Sequence, residues 1–175
     1  MRSGSTLVEQ IMSTHSEVYG AGEDSAFGAQ LDNIYQEISK GIQTQTMQGF
    51  SEAVLRASHA VVNAMQEQVP EDRRSTVKRI VDKQLFNYKR IGLIKLMFPK
   101  AVILHTKRSF MDVVFSMWRY SFNDSGLAWS YNLREIFDVY VDYAKYMKHW
   151  HQAMPGEILD VVYEDMESNQ DGMTT

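Results

Sequence analysis

The 175-residue sequence has no cysteine, so neither a disulfide framework nor a thiolate metal site can contribute to its fold. It also has no apolar run of the length a bilayer span requires. Its first dozen residues carry Glu9 and Gln10 where a signal peptide would place its apolar region. Taken together, these absences read as a chain of a reducing, cytoplasmic compartment with no membrane segment. An excess of positive charge is missing too. Eighteen Lys and Arg face 22 Asp and Glu, for a net charge of −4. A broad nucleic-acid surface needs the opposite balance. A small anion needs only a local group of cations, and that remains available. With 44% hydrophobic and 23% charged residues, the composition fits one globular domain with a sizeable core.

Periodicity predicts the elements. A helix starts near Thr6, with Leu7, Val8, Ile11 and Met12 at helical spacing. A short strand over residues 18–23 (VYGAGE) ends at glycines. An amphipathic helix over 25–39 carries Phe27, Leu31, Ile34, Tyr35 and Ile38. A Gln- and Thr-rich loop over 41–49 leads to a helix over 50–68, stopped by Pro70. Residues 78–82 (KRIVD) read as a strand and 86–98 as a helix ended by Pro99. Residues 101–106 (AVILHT) read as a strand covered on both faces. A helix over 109–122 has Phe110, Val113, Val114, Met117 and Ser121 on one side, with Ser109, Asp112, Ser116 and Arg119 on the other. A longer helix over 133–153 points Leu133, Phe137, Tyr140, Ala144 and Met147 inward. Residues 158–163 (ILDVVY) form the last strand, and 168–175 a polar, frayed tail. Alternating strands and helices predict an α/β layered domain with a mostly parallel sheet, whose ligands sit at the carboxyl ends of the strands.

Three candidate sites follow. The opening loop Arg2-Ser3-Gly4-Ser5-Thr6 runs directly into a helix. Such loops hold anions through backbone N–H groups and hydroxyls, although a plain N-cap would look the same. The spacing is not that of a Walker A loop and its lysine is absent, which disfavours a nucleotide kinase. His105-Thr106-Lys107-Arg108-Ser109 closes a strand and opens a helix, where Arg108 can hold a phosphate bidentately. Exposed basic residues at that turn are the plainer reading. Lys83, just after KRIVD, has the same two readings. His15, His59, His105, His149 and His151 are scattered, and no metal-ligand cluster is expected. His105, within an apolar strand, reads as a packed histidine or a second candidate base. Trp118, Trp129, Trp150 and the tyrosines between 131 and 146 read as core or pocket walls.

Three segments in order, RSGSTLVEQIMSTHSEVYGAGE, VDKQLFNYKRIGLIKLMFPKAVILHTKRSFMDVVFS and PGEILDVVYEDM, resemble the sulfotransferases that use 3′-phosphoadenosine-5′-phosphosulfate (PAPS). The nearest group is that of the tyrosylprotein sulfotransferases and the bacterial sulfotransferases with tetratricopeptide repeats. The resemblance covers almost the whole chain and is weakest over residues 24–75. It implies a P-loop NTPase-like three-layer α/β fold, with PAPS as donor, PAP as product and no metal. Arg2, Ser3, Gly4, Ser5, Thr6 and Leu7 would form the 5′-phosphosulfate loop. Arg108 and Ser116 match the pair that holds the 3′-phosphate. Lys83 would steady the leaving group, and Glu23 matches the acidic general base, although an acidic residue before a helix also favours its dipole. Tyr163-Glu164-Asp165 matches a motif expected to play a structural role.

The same resemblance places an apolar strand and often a proline before RSG, where Met1 stands here, and further helices with a basic closing loop beyond YED. Residues 1–175 are therefore expected to be one incomplete domain, lacking its first strand and its nucleotide-closing lobe. An exposed sheet edge would then permit oligomers. Two functions remain open: sulfuryl transfer to a small-molecule, peptide or glycan hydroxyl, or an inactive fragment that keeps a nucleotide- or partner-binding fold. The acceptor pocket would draw on residues 24–68 and 123–131.

Overall fold

The computed structural model describes residues 2–23, 26–120 and 125–168. The chain divides into two compact units, Thr6–Ala101 and Met1–Ser5 with Val102–Thr175.

In the first unit, α1 (Ser5–Ser13, beginning one residue before the division) leads to β1 (Val18–Gly20), α2 (Ala26–Ala29), α3 (Leu31–Gln43), α4 (Met47–Gln68), β2 (Arg79–Val81) and α5 (Ile91–Met97). β1 and β2 pair in parallel, Val18 opposite Arg79 and Gly20 opposite Val81. The core lies among the helices. Phe27, Ile34, Val54, Ala57, Val61 and Met97 are buried together, with Leu31, Ile38, Phe50 and Met65 packed against them. Spacings of three and four residues put these side chains on single stripes of α3 and α4. Each large apolar side chain so buried contributes about 1.5–3 kcal/mol. Ser58 Oγ bonds the Val54 carbonyl at 2.8 Å and the Met97 carbonyl at 3.2 Å, tying α4 to the end of α5.

The helix predicted over 25–39 is broken at Gln30 (φ −92°, ψ 1°), two residues after Gly28, whose helix propensity is about 1 kcal/mol below that of alanine. The loop predicted over 41–49 is shorter. Thr46 caps α4 by accepting the Gly49 N–H at 3.1 Å, so the helix starts at Met47. A helix from residue 86 is likewise shorter, because Arg90 (φ −123°) separates a 3-10 turn over Asn87–Lys89 from α5.

In the second unit, β3 (Ile103–Lys107), α6 (Phe110–Trp118), α7 (Leu133–Ala153), β4 (Ile158–Val162) and α8 (Tyr163–Ser168) follow in order. β3 and β4 are parallel, with His105 opposite Asp160 and Lys107 opposite Val162. The described strands thus form two parallel pairs, an α/β arrangement with small parallel sheets. β3 is not covered on both faces: Ile103 to Thr106 are half-buried, and Val102 and Leu159 are exposed. The inward stripe of α7 also differs from the prediction. Leu133 and Phe137 are exposed, whereas Ile136 and Met147 are buried. The stripe runs through 136, 140, 143 and 147, a phase that shares only Tyr140 and Met147 with the predicted one. The last strand ends at Val162, and Tyr163, predicted to close it, instead begins α8. The end of the helix predicted to 122, part of the 123–131 loop, Met1 and the tail beyond 168 lie outside the described residues.

Candidate functional site

In the first unit, three segments of the chain meet at Lys83. Its ammonium donates to Thr6 Oγ1 at 3.2 Å and to Glu23 Oε1 at 3.1 Å, and pairs with Glu9 Oε2 at 3.4 Å. The Lys83 side chain is 15% exposed and that of Glu23 is 71% exposed. Lys83 arrives here because it follows β2, and its backbone N–H bonds the Gly22 carbonyl beyond β1. Glu9 is buried. Its second oxygen accepts the Gly22 N–H at 2.6 Å, so both carboxylate oxygens are used. Gly20 makes this possible, since a Cβ there would lie 2.5 Å from Ser13 Oγ and 3.1 Å from Glu9 Cγ. A side chain at this position would have to displace Ser13 Oγ, so glycine suits the close approach of β1 to α1.

Thr6, Glu23 and Lys83 were predicted from sequence; Glu9 was not. The signal for it is local: Glu9 lies three residues after Thr6, on the same helix face and at the spacing of a capping box. Leu7 is exposed and lies in the first turn of α1.

In the second unit, the loop Arg2–Ser5 is fixed by residues from three elements. Arg2 Nε donates to Ser116 Oγ on α6 at 2.9 Å, and its guanidinium lies 5.1 Å from the Tyr120 ring centre. Ser3 Oγ bonds Thr106 Oγ1 on β3 at 2.8 Å. Arg2 (φ 54°) and Gly4 (φ 88°) are both left-handed, a conformation that costs a non-glycine residue roughly 1–2 kcal/mol. Gly4 lies against the Tyr163 ring, where an added Cβ would come within 2.5 Å of Cδ2.

Tyr163 also carries Arg108, whose guanidinium carbon is 4.4 Å from the ring centre. Arg108 Nε is buried and has no hydrogen-bond partner among the described residues. Its neighbour Glu164 accepts the Ser109 N–H at 2.8 Å. That bond is the chief reason its carboxyl is held below the usual range, with the Arg108 charge adding to it. Ser116 is bonded to Arg2, so the described bonds join it to the opening loop and not to Arg108.

A second group in this unit was not predicted. His105 Nδ1 is 2.7 Å from Asp160 Oδ1, its Nε2 bonds the Tyr143 hydroxyl, and His151 Nε2 is 3.3 Å from Asp160 Oδ1. Burial holds His105 below the ordinary histidine value, against the pull of Asp160. For Asp160, burial acts upward but is outweighed by hydrogen bonds from His105 and Lys107, which hold it low. These directions describe a neutral imidazole donating to a carboxylate. The expectation of scattered histidines fails here, because strand register sets Asp160 beside His105 and α7 brings in His151. Neither relation is visible along the chain.

The sulfotransferase family matches over residues 1–175, and the chain belongs to that family. An uncharacterized protein of Aquifex aeolicus (strain VF5) is 33% identical over 169 residues, 93% of this chain and 22% of that protein. The chain therefore spans about a fifth of the length of this relative. No solved structure matches.

Proposed function

We propose that this chain carries the donor-binding and proton-transfer groups of a PAPS-dependent sulfotransferase with a P-loop-like fold. Arg2 to Leu7 receive the 5′-phosphosulfate, and Arg108 with Ser116 receives the 3′-phosphate. Lys83 stabilises charge growing on the bridging oxygen of the leaving group, and Glu23 takes the proton of the acceptor hydroxyl. The acceptor oxygen forms its bond to sulfur as the bond from sulfur to the 5′-phosphate oxygen breaks, and PAP leaves. Such a transfer depends mainly on positioning and preorganised charge.

The observation that carries this reading is the meeting of Thr6, Glu23 and Lys83, 77 and 60 residues apart, through two hydrogen bonds. The helix-cap reading of the loop does not call for a distant lysine. The exposures support these two roles. Lys83 is held firmly, whereas Glu23 is open to an incoming hydroxyl.

The test is labelled PAPS given to the purified chain with phenols, sugars and tyrosine peptides, alongside calorimetric titration with PAP. Transfer to one acceptor class is expected. Folded protein that neither transfers sulfate nor binds PAP would overturn the proposal. PAP binding without transfer to any acceptor would favour an inactive, nucleotide-binding fragment.

A further inference from the structure

The group around Asp160 uses none of the residues assigned to sulfuryl transfer. His105 on β3, Asp160 on β4 and His151 on α7 present Nδ1, Oδ1 and Nε2, all within 4.8 Å of one another. We infer that His105, His151 and Asp160 form a binding site for one divalent transition-metal ion of the zinc or cobalt kind.

Geometry is the first argument. Donors held at about 2.0–2.1 Å from a tetrahedral zinc stand about 3.3 Å apart. The Asp160–His151 pair at 3.3 Å has that spacing, and the Asp160–His105 pair at 2.7 Å is a hydrogen bond that lengthens when an ion takes the place of its proton. The donor set is the second. Two imidazoles and one carboxylate suit borderline ions, whereas magnesium and calcium favour oxygen donors throughout. Three protein ligands also leave a position for water or another donor.

The surroundings are the third argument. A metal-bound imidazole ordinarily gives its other N–H to a fixed acceptor. Tyr143 already bonds His105 Nε2. Lys107 Nζ holds Asp160 Oδ2 at 3.2 Å and leaves Oδ1 as the ligand atom. Without metal, His105 keeps its one proton on Nδ1, toward Asp160. With metal on Nδ1, that ring proton sits on Nε2 and is donated to Tyr143. His105 is 11% exposed, and the side chains of Asp160 and His151 are 34% and 39% exposed, so an ion can enter from the His151 side.

The 175-residue chain, stripped with chelator, should take up one equivalent of Co(II) with the visible bands of a four-coordinate site. Zn(II) should displace the Co(II) and raise the melting temperature. His151→Ala should abolish the one-equivalent uptake, and His149→Ala should leave it unchanged. Tyr143→Phe should weaken binding by about 10–100-fold, as loss of an outer-shell partner does. If His151→Ala does not fold, ring-nitrogen NMR of the unaltered chain decides. Zn(II) should shift the ring nitrogens of His105 and His151 and spare those of His15 and His59. Absence of stoichiometric uptake, uptake indifferent to His151→Ala, or shifts at other histidines would overturn the site.

Discussion

Lys83 and Arg108 both stand just beyond the end of a parallel strand, one in each unit, and the protein treats them differently. The Lys83 ammonium lies within 3.4 Å of two carboxylates and a hydroxyl. Arg108 has a tyrosine ring beneath it and a buried Nε–H without a partner. A buried donor left unmade costs about 1–3 kcal/mol, a cost that an arriving phosphate oxygen would remove. A cation already paired is held in position, and a ligand that uses it must share it. Arg108 stands near the Glu164 charge yet keeps one buried N–H without a partner among the described residues. The largest effect that tests this contrast is on catalysis. Glu23→Gln should lower sulfate transfer by about 10²–10⁴-fold, the span of a lost general base. PAP affinity and melting temperature should stay near their starting values, because Glu23 is mostly exposed. An unchanged transfer rate would reduce Glu23 to a counter-ion of Lys83.

The next effect is on folding. Lys83→Ala leaves Glu9 buried and charged with one oxygen unpaired, a loss of about 3 kcal/mol for a pair broken from one side. Glu9→Gln added to that variant removes the charge and keeps an acceptor for the Gly22 N–H, so it should recover most of the loss. Chemical denaturation of the two single variants and the double variant measures the coupling. A double variant no more stable than Lys83→Ala would mean that Glu9 is not what Lys83 balances.

A third change acts on Arg108. Arg108→Lys keeps the charge but removes the planar fork that can make paired bonds to a phosphate and stack on Tyr163. PAP should bind roughly tenfold more weakly, the loss of one charge-assisted hydrogen bond of about 1.5 kcal/mol. Titration calorimetry reads this directly. An undiminished affinity would mean that the free Nε–H of Arg108 is not a donor-binding group.

Arg2, Thr6, Lys83 and Arg108 could be singled out from sequence because loops and strand ends leave local marks: small residues before a helix, and basic residues after an apolar run. The helices were legible for a similar reason, although a weak point such as Gly28 broke one and a capping threonine lengthened another. What could not be read depends on which strand lies beside which. Asp160 sits mid-strand in ILDVV and is ordinary until β3–β4 register puts it against His105. Glu9 enters the sequence reading only as a polar residue that argues against a signal peptide, and its burial beside Gly20 depends on the close approach of β1 to α1. The α7 stripe was misphased because a helix rich in Phe and Tyr offers two plausible apolar faces, and the buried one runs through Ile136 and Met147.

The smallest effect belongs to Glu164, which steadies the turn that presents Arg108. Its carboxylate accepts the Ser109 N–H at 2.8 Å, and that bond sets its folded pKa below the ordinary 4.5. A depressed carboxyl favours the folded state fully above its unfolded pKa, and the contribution is lost as pH falls through the folded value. The unfolded chain binds more protons in that interval, so stability should rise with pH across it. Glu164→Gln keeps a side-chain acceptor for Ser109 but has no charge to titrate. Its stability should depend less steeply on pH below about 4.5, so the two proteins differ most near neutrality, by an amount that solvent and salt keep small, and converge as pH falls. Denaturation midpoints measured from pH 3 to 7 (roughly the carboxylate range) compare the two slopes. Parallel curves would show that the Ser109 bond does not depend on the charge of Glu164, and that the turn under Arg108 is held by the Tyr163 ring alone.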